Sequence, residues 1–228
     1  ALVWLTSGDL AAARDSIELA VERAGEFGDP PGAEVVYLFA SHIAQLQGDS
    51  AAAETYARET LAMSEDTYAR GYIALGHVYY NGEGEWKNYS AAREAYLAAM
   101  ELPSKSEDLI DVKAWNGLGN LDLGTLLAGH SPFGAPCNEV EQGYADRGTA
   151  YYRNVIDAYE TEKTAGEPDQ RLSEMAGRAW ASTGKIHNSC GEKEAAIDAY
   201  RTALSLPLSA AARDEVRDFL AELESEEG

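Results

Sequence analysis

Two stretches of this chain, residues 91–103 and 195–207, repeat each other along their whole length. They share small residues, a tyrosine and a closing proline at matching positions: Ala91/Ala195, Ala92/Ala196, Ala95/Ala199, Tyr96/Tyr200, Ala99/Ala203, Leu102/Leu206 and Pro103/Pro207. Such self-similarity is typical of proteins built from stacked supersecondary units, each of which buries its apolar face against the next. The repeat therefore predicts how the chain is built before any other motif is interpreted.

A full unit can be traced upstream of the second stretch. Its small and aromatic residues follow one order along two helices and the turn between them: Trp180, Thr183 and Gly184, then Gly191, then Ala196, Tyr200, Ala203 and Pro207. This order resembles the tetratricopeptide repeat (TPR), a 34-residue helical hairpin. Residues 70–103, with Leu75-Gly76 and a longer glycine-rich turn, resemble the related Sel-like repeat.

The resemblance covers most of the chain and implies an all-α fold, a right-handed α-solenoid of about five TPR/Sel-like hairpins plus a C-terminal helix. We expect a single domain over 1–228, with units at 1–28, 34–64, 69–103, 112–163 and 177–207 and a terminal helix at 209–225. In the fourth unit the first helix should end near Leu127 and the second begin near Arg147. An inserted loop at 128–146 is expected between them, and a loop of that length is usually functional or tied down.

Composition and motifs restrict the function. The net charge of −21 would repel the phosphates of nucleic acid and anionic membranes. No apolar run approaches the length of a membrane span. The chain has no His-Glu-x-x-His, Gly-x-Ser-x-Gly, phosphate loop or Cys-x-x-Cys motif. We therefore expect a protein that is not an enzyme, without a metal or a cofactor.

The two cysteines occupy equivalent places in neighbouring units. Cys137 lies in the long loop of the fourth unit, and Cys190 lies in the corresponding turn of the fifth. Turns at equivalent positions of stacked repeats lie side by side, so we predict a Cys137–Cys190 disulfide. A disulfide implies an oxidising compartment, and a start at Ala1 without Met is compatible with removal of a signal peptide. We expect an extracellular or periplasmic protein.

The family resemblance implies a binding groove on the first helices of the hairpins, which in TPR proteins hold extended peptides or helices. Transferred to this chain, the groove positions contain no acidic residue. The polar and basic candidates among them are Arg70, His77, Lys113, Asn116, Asn120, Arg178 and Lys185. A neutral to basic groove on an acidic molecule favours an acidic peptide as partner.

The two ends of the chain provide a second candidate surface. Apolar Trp4 and Leu5 lie in what should be half of a leading helix, and the terminal helix has an apolar face without a following partner, formed by Val216, Phe219, Leu220 and Leu223. The last helix of one molecule would complete the first unit of the next, which builds a filament or a ring. The alternative is that the terminal helix is an ordinary solvating cap.

These observations predict a secreted, non-catalytic scaffold for protein–protein interaction, with head-to-tail self-association as its most specific form. One alternative is an adaptor that binds an acidic peptide in its concave groove. The other is an accessory module that binds a small molecule or sugar at the 128–146 loop.

Overall fold

The computed structural model describes residues 9–28, 30, 32–64, 68–102, 109–129 and 134–225. Within these ranges the chain forms ten α-helices and no strand. The helices are α1 (Leu10–Glu26), α2 (Ala33–Leu46), α3 (Ser50–Met63), α4 (Ala69–Asn81), α5 (Tyr89–Glu101), α6 (Ile110–Gly129), α7 (Glu139–Ala165), α8 (Gln170–Ser189), α9 (Lys193–Leu204) and α10 (Ala210–Ser225). Consecutive helices pack in pairs, which confirms the all-α, α-solenoid class that the repeat predicts.

The chain divides into two compact units, residues 1–114 and 115–228. In the first unit, α2 pairs with α3 and α4 pairs with α5. Helix α1 packs on α2, and α4 also contacts both α2 and α3, so the two hairpins stack on each other. In the second unit, α7 packs on α8, α8 pairs with α9, and α10 packs on α9.

The second helix of most hairpins begins at a side-chain cap. The carboxylates of Asp9 and Asp49 accept hydrogen bonds of 3.0 and 2.9 Å from the amides of Ala12 and Ala52. Asn88 does the same for α5 through a 3.0 Å bond from the amide of Ala91. These caps satisfy amides that have no partner inside the helix. They fix where each second helix starts after its turn.

The turns of the second and fifth hairpins share one geometry. Gly48 and Gly191 have φ of 77° and 76°, in the left-handed region that glycine adopts without strain. In both turns the next amide closes the first helix with a 2.9 Å hydrogen bond, from Asp49 to the carbonyl of Ala44 and from Glu192 to that of His187. This is the Schellman arrangement of a helix end. It lets two helices meet after a minimal connection.

A glycine on the first helix contacts a tyrosine on the second in three hairpins. The pairs are Gly76 with Tyr96, Gly119 with Tyr152, and Gly184 with Tyr200. All three tyrosines are fully buried. Because a Cβ at any of these glycines would overlap the ring, the missing side chain is what lets the helices approach.

The second hairpin reaches the same close approach with small residues on both helices. Ser41 and Ala57 occupy the places of Gly184 and Tyr200, and both are fully buried. The Ser41 hydroxyl donates a 2.8 Å hydrogen bond to the carbonyl of Ala53. The hydroxyl is thus satisfied inside the core.

The fourth hairpin differs from its expected boundaries. Helix α7 begins at Glu139 and not near Arg147, so residues 139–146 of the expected loop are helical. The reason is a capping box, in which the amide of Asn138 donates a 2.8 Å bond to the Glu141 carboxylate and the Glu141 amide donates a 3.1 Å bond to the Asn138 side chain. His130 and Pro132 of the expected loop lie outside the described residues.

Candidate functional site

The first-helix face of unit 1 combines apolar and basic groups. On α2, Val35 and Leu46 are 37% and 49% exposed, and His42 is exposed between them. Although part of the ring is exposed, desolvation by the residues packed around it lowers the pKa of His42 below its ordinary value. On α4, Arg70 is half-buried. This face is apolar at its rim, and its permanent positive charge comes from arginine.

Two of the predicted groove residues are partly engaged in packing. The ring of His77 lies edge-on to Tyr96, with 5.8 Å between the ring centroids. In unit 2 the Asn120 side chain accepts a 2.7 Å hydrogen bond from the Tyr152 hydroxyl. Asn116 is half-buried on the same helix, and Lys113 is half-buried near the end of unit 1. Both His77 and Asn120 therefore contribute to hairpin packing, whatever else they bind.

The first-helix face of α8 carries the two cations Arg178 and Lys185. Arg178 is exposed, and among the residues that the structure describes no carboxylate pairs with it. The Lys185 ammonium lies 2.8 Å from the Glu215 carboxylate of α10 and 5.5 Å from the centroid of the Phe219 ring. Lys185 is therefore already paired with a carboxylate of its own chain, whereas Arg178 is not paired with one in the described part of the chain.

The apolar face of α10 packs on the fifth hairpin of its own chain. Val216 and Leu223 are buried in a cluster with Ala181, Ile197 and Tyr200. Phe219 stacks on the Tyr200 ring at 5.8 Å with an interplanar angle of 9°. Leu220 packs against the same cluster. Trp4 and Leu5, the expected partners of this face in a neighbouring molecule, lie outside the described residues.

The predicted disulfide is present. It joins Cys137 to Cys190 across 53 residues, with 4.7 Å between their Cα atoms. The segment before Cys137 also lies directly on the turn of the fifth hairpin, since a Cβ at Gly191 would be 2.6 Å from the carbonyl oxygen of Gly134. The bond and this contact together tie the loop of the fourth hairpin to the turn of the fifth.

The repeat position three residues after the first-helix glycine carries a different polar link in each hairpin. In the third, the Tyr79 hydroxyl donates a 2.6 Å bond to Glu54. In the fourth, the fully buried carboxylate of Asp122 lies 3.3 Å from the Arg147 guanidinium. In the fifth, the imidazole of His187 pairs with the Glu192 carboxylate. Sequence reasoning did not find the partners of these three residues.

A cleft of about 480 Å³ lies beside the disulfide in unit 2. Ala145, Ile186 and Cys190 form its buried floor. Charged and polar side chains of α7, of the end of α8 and of the turn before α9 line its walls, among them Asp146, Thr149, Arg153, His187 and Glu192. Sequence reasoning missed this cleft, because only the helical start of α7 brings residues 142–153 next to the turn of the fifth hairpin.

Comparison with known proteins identifies the building unit. The family model of the tetratricopeptide repeat matches residues 177–208, so the fifth hairpin is a tetratricopeptide repeat. Repeats of this class are typically modules for protein–protein interaction, so the match suggests an interaction scaffold. No curated protein matches the chain.

In the ranges that the structure describes, no helix has both the length and the hydrophobicity needed to cross a membrane. No group of three or more His, Cys, Asp or Glu side chains in those ranges is arranged to hold a metal ion.

Proposed function

We propose that this scaffold binds an acidic peptide or an acidic segment of a partner protein on the first-helix faces of its hairpins. The observation that carries the proposal is the distribution of charge between first and second helices. In unit 1, the first helices α2 and α4 contain one acidic residue, Glu34. The second helices α1, α3 and α5 contain eight.

In unit 2 the contrast recurs between α8 and α7, whereas the first helix α6, which begins in unit 1, and the second helix α9 contain two acidic residues each. Helix α8 contains a single acidic residue, Glu174, together with Arg171, Arg178 and Lys185. Helix α7, a second helix, contains six acidic residues. A surface that stays neutral to basic on a strongly acidic molecule attracts anionic partners, while the remaining surface repels them.

Charge reversal tests the groove. We expect simultaneous Arg70→Glu, Lys113→Glu, Arg178→Glu and Lys185→Glu substitutions to weaken binding of a labelled Glu-rich peptide by about 10-fold to 100-fold, since each exposed pair contributes up to about 1 kcal/mol. Fluorescence anisotropy at low and at physiological salt measures the affinity, and circular dichroism checks that helix content is retained.

A matched control separates position from net charge. Reversing four exposed arginines on second helices, Arg14, Arg23, Arg153 and Arg201, changes the net charge by the same amount and leaves the first-helix faces intact. The proposal requires that this control bind the peptide more tightly than the groove variant does. Equal losses in the two variants, or an affinity that ignores salt, would show that the groove is not an electrostatic site.

The disulfide is evidence about the compartment in which the protein acts. Bonds of this kind form and persist in oxidising environments, so we infer that the protein acts outside the cytosol, in an extracellular or periplasmic setting. Its acidic second helices would keep the chain soluble there without contributing to the groove.

Head-to-tail self-association into a filament or ring is a second candidate. Exposed apolar side chains favour it, because three of them lie at α1 or directly after it: Leu10, Leu19 and Phe27, the last 73% exposed. The partner surface in the sequence-based hypothesis is the face of Val216, Phe219, Leu220 and Leu223, which packs on the fifth hairpin of its own chain, so docking in trans would have to displace that packing.

Leu19→Lys with Phe27→Lys tests this second candidate without touching the cis contacts of α10. We expect wild type to sediment as assemblies whose size grows with concentration, and the double variant to be monomeric with unchanged helix content. Leu97→Lys is the control, since Leu97 is a similarly exposed apolar residue on α5. A wild-type protein that remains monomeric at high concentration excludes the assembly and leaves the acidic-peptide groove unaffected.

A further inference from the structure

The terminal helix supplies a carboxylate to the groove face of the fifth hairpin. Glu215 lies 2.8 Å from the Lys185 ammonium, whose side chain is 25% exposed. Phe219, four residues further along α10, places its ring 5.5 Å from the same ammonium. Residues four apart share one face of a helix, so a single face of α10 presents both an anion and an aromatic ring to Lys185.

Other contacts hold α10 in place without Glu215. Val216 and Leu223 are buried, and Phe219 stacks on Tyr200. The Arg213 guanidinium donates hydrogen bonds of 3.1 and 3.2 Å to the carbonyls of Leu204 and Leu206. A second ion pair, 2.8 Å long, joins Arg201 of α9 to Glu224. The half-exposed Lys185–Glu215 pair is therefore a small part of what anchors the helix.

We propose that Glu215 is an internal competitor for the groove, and that an acidic partner must replace its carboxylate at Lys185. The inference rests on the proposed function of the groove. Arg178, two helical turns from Lys185 on α8, is open in the resting protein. An acidic partner would pair with Arg178 first and then displace Glu215 from Lys185. Arg178 and Lys185 would then form a two-cation site on α8.

As a consequence, the resting protein has a lower affinity for an acidic partner than it would have without the Glu215 carboxylate. A binding site that is occupied by part of its own chain shows an apparent affinity reduced by the fraction of molecules in which it is blocked. Because α10 stays anchored by its apolar face, the exchange needs only a rotation of the Glu215 side chain and leaves the hairpin core intact.

Glu215→Gln tests the inference, with Glu224→Gln as a matched control. Both substitutions remove one negative charge from α10 and break an ion pair of 2.8 Å, and the two carboxylates are similarly exposed, 52% and 44%. Only Glu215 faces the groove. The probe is a labelled Glu-rich peptide in fluorescence anisotropy at low salt. We expect Glu215→Gln to bind it about 3-fold to 10-fold more tightly than wild type, and Glu224→Gln to match wild type.

The outcomes separate the inference from the proposed function. If wild type binds the peptide and both Gln variants bind it equally well, the inference is wrong and the groove function stands. If no variant binds the peptide, both fail. If the gain in Glu215→Gln persists when Lys185→Gln is added, the gain does not come from releasing Lys185, and the inference is again wrong. Thermal unfolding of all variants shows whether α10 remains packed.

Discussion

Loss of the Cys137–Cys190 bond is expected to lower the free energy of unfolding by about 3–4 kcal/mol. The bond closes a loop of about 50 residues in the unfolded chain, and the chain-entropy model gives that magnitude for a loop of this length. The bond also anchors the segment that lies against the turn of the fifth hairpin. Removing it should therefore affect the fourth and fifth hairpins more than unit 1.

Urea unfolding of wild type, oxidised and reduced, and of the Cys137→Ser/Cys190→Ala variant measures the effect. The variant should match reduced wild type and should not respond to reductant. Hydrogen exchange provides an internal control, because amides of α7 and the turn before α9 should lose protection while those of α2 and α3 in unit 1 do not.

Alkylation decides whether the bond exists in the protein as isolated. Two thiols should react only after reduction. If both react freely in protein prepared without reductant, the disulfide is absent, and the inference of an oxidising compartment fails with it.

The hairpin architecture could be predicted because it depends on the pattern of residue types within each repeat. Gly184 and Tyr200 are informative together, since one small and one bulky residue at fixed spacing fit only a close helix pair. The disulfide followed from the same register, because Cys137 and Cys190 occupy equivalent turns. Repetition thus converts a local pattern into a long-range contact.

The start of α7 was missed for a different reason. The glycines and prolines of the fourth connection indicated an irregular loop up to Arg147, yet Asn138 and Glu141 form a capping box that starts the helix at Glu139. The Asn-x-x-Glu spacing was readable in the sequence. A cap of two residues outweighed the composition of the longer segment around it.

For the groove, the sequence could predict only the repeat position of each residue. Repeat positions indicate which side chains lie on a first helix, but their depth depends on neighbours that the pattern does not describe. Arg178 is exposed as a groove residue should be, whereas Arg70 and Lys113, at the equivalent positions of the third and fourth hairpins, are half-buried. Sequence reasoning identified Lys185 but not Glu215, because their contact joins residues 30 positions apart on different helices.

The glycine–tyrosine contact of the fifth hairpin provides the second large expected effect. An added Cβ at Gly184 would lie 2.5 Å from a ring carbon of Tyr200, which is fully buried and cannot move aside. We expect Gly184→Ala to destabilise the protein by about 2–3 kcal/mol through overpacking. Tyr200→Ala should cost about 3–5 kcal/mol through the cavity that it leaves.

The double variant tests whether the added methyl group at position 184 and the Tyr200 ring compete for the same space. In Gly184→Ala/Tyr200→Ala the new methyl group enters the cavity, so the combined loss should fall short of the sum by at least about 1 kcal/mol. The second hairpin already uses this solution, with Ser41 opposite Ala57. Urea unfolding of the four proteins measures the coupling, and additive losses would show that the contact does not limit the approach of α8 and α9.

Removing the tyrosine hydroxyl separates ring packing from hydrogen bonding. In the described part of the chain the buried Tyr200 hydroxyl has no hydrogen-bond partner, whereas that of Tyr152 donates to Asn120. Tyr200→Phe should be neutral or stabilising, and Tyr152→Phe should cost about 1 kcal/mol and leave the Asn120 side chain without its donor. Opposite responses at equivalent positions would show that the ring supplies the repeated structural element, while the hydroxyl is used only where the neighbouring helix provides an acceptor.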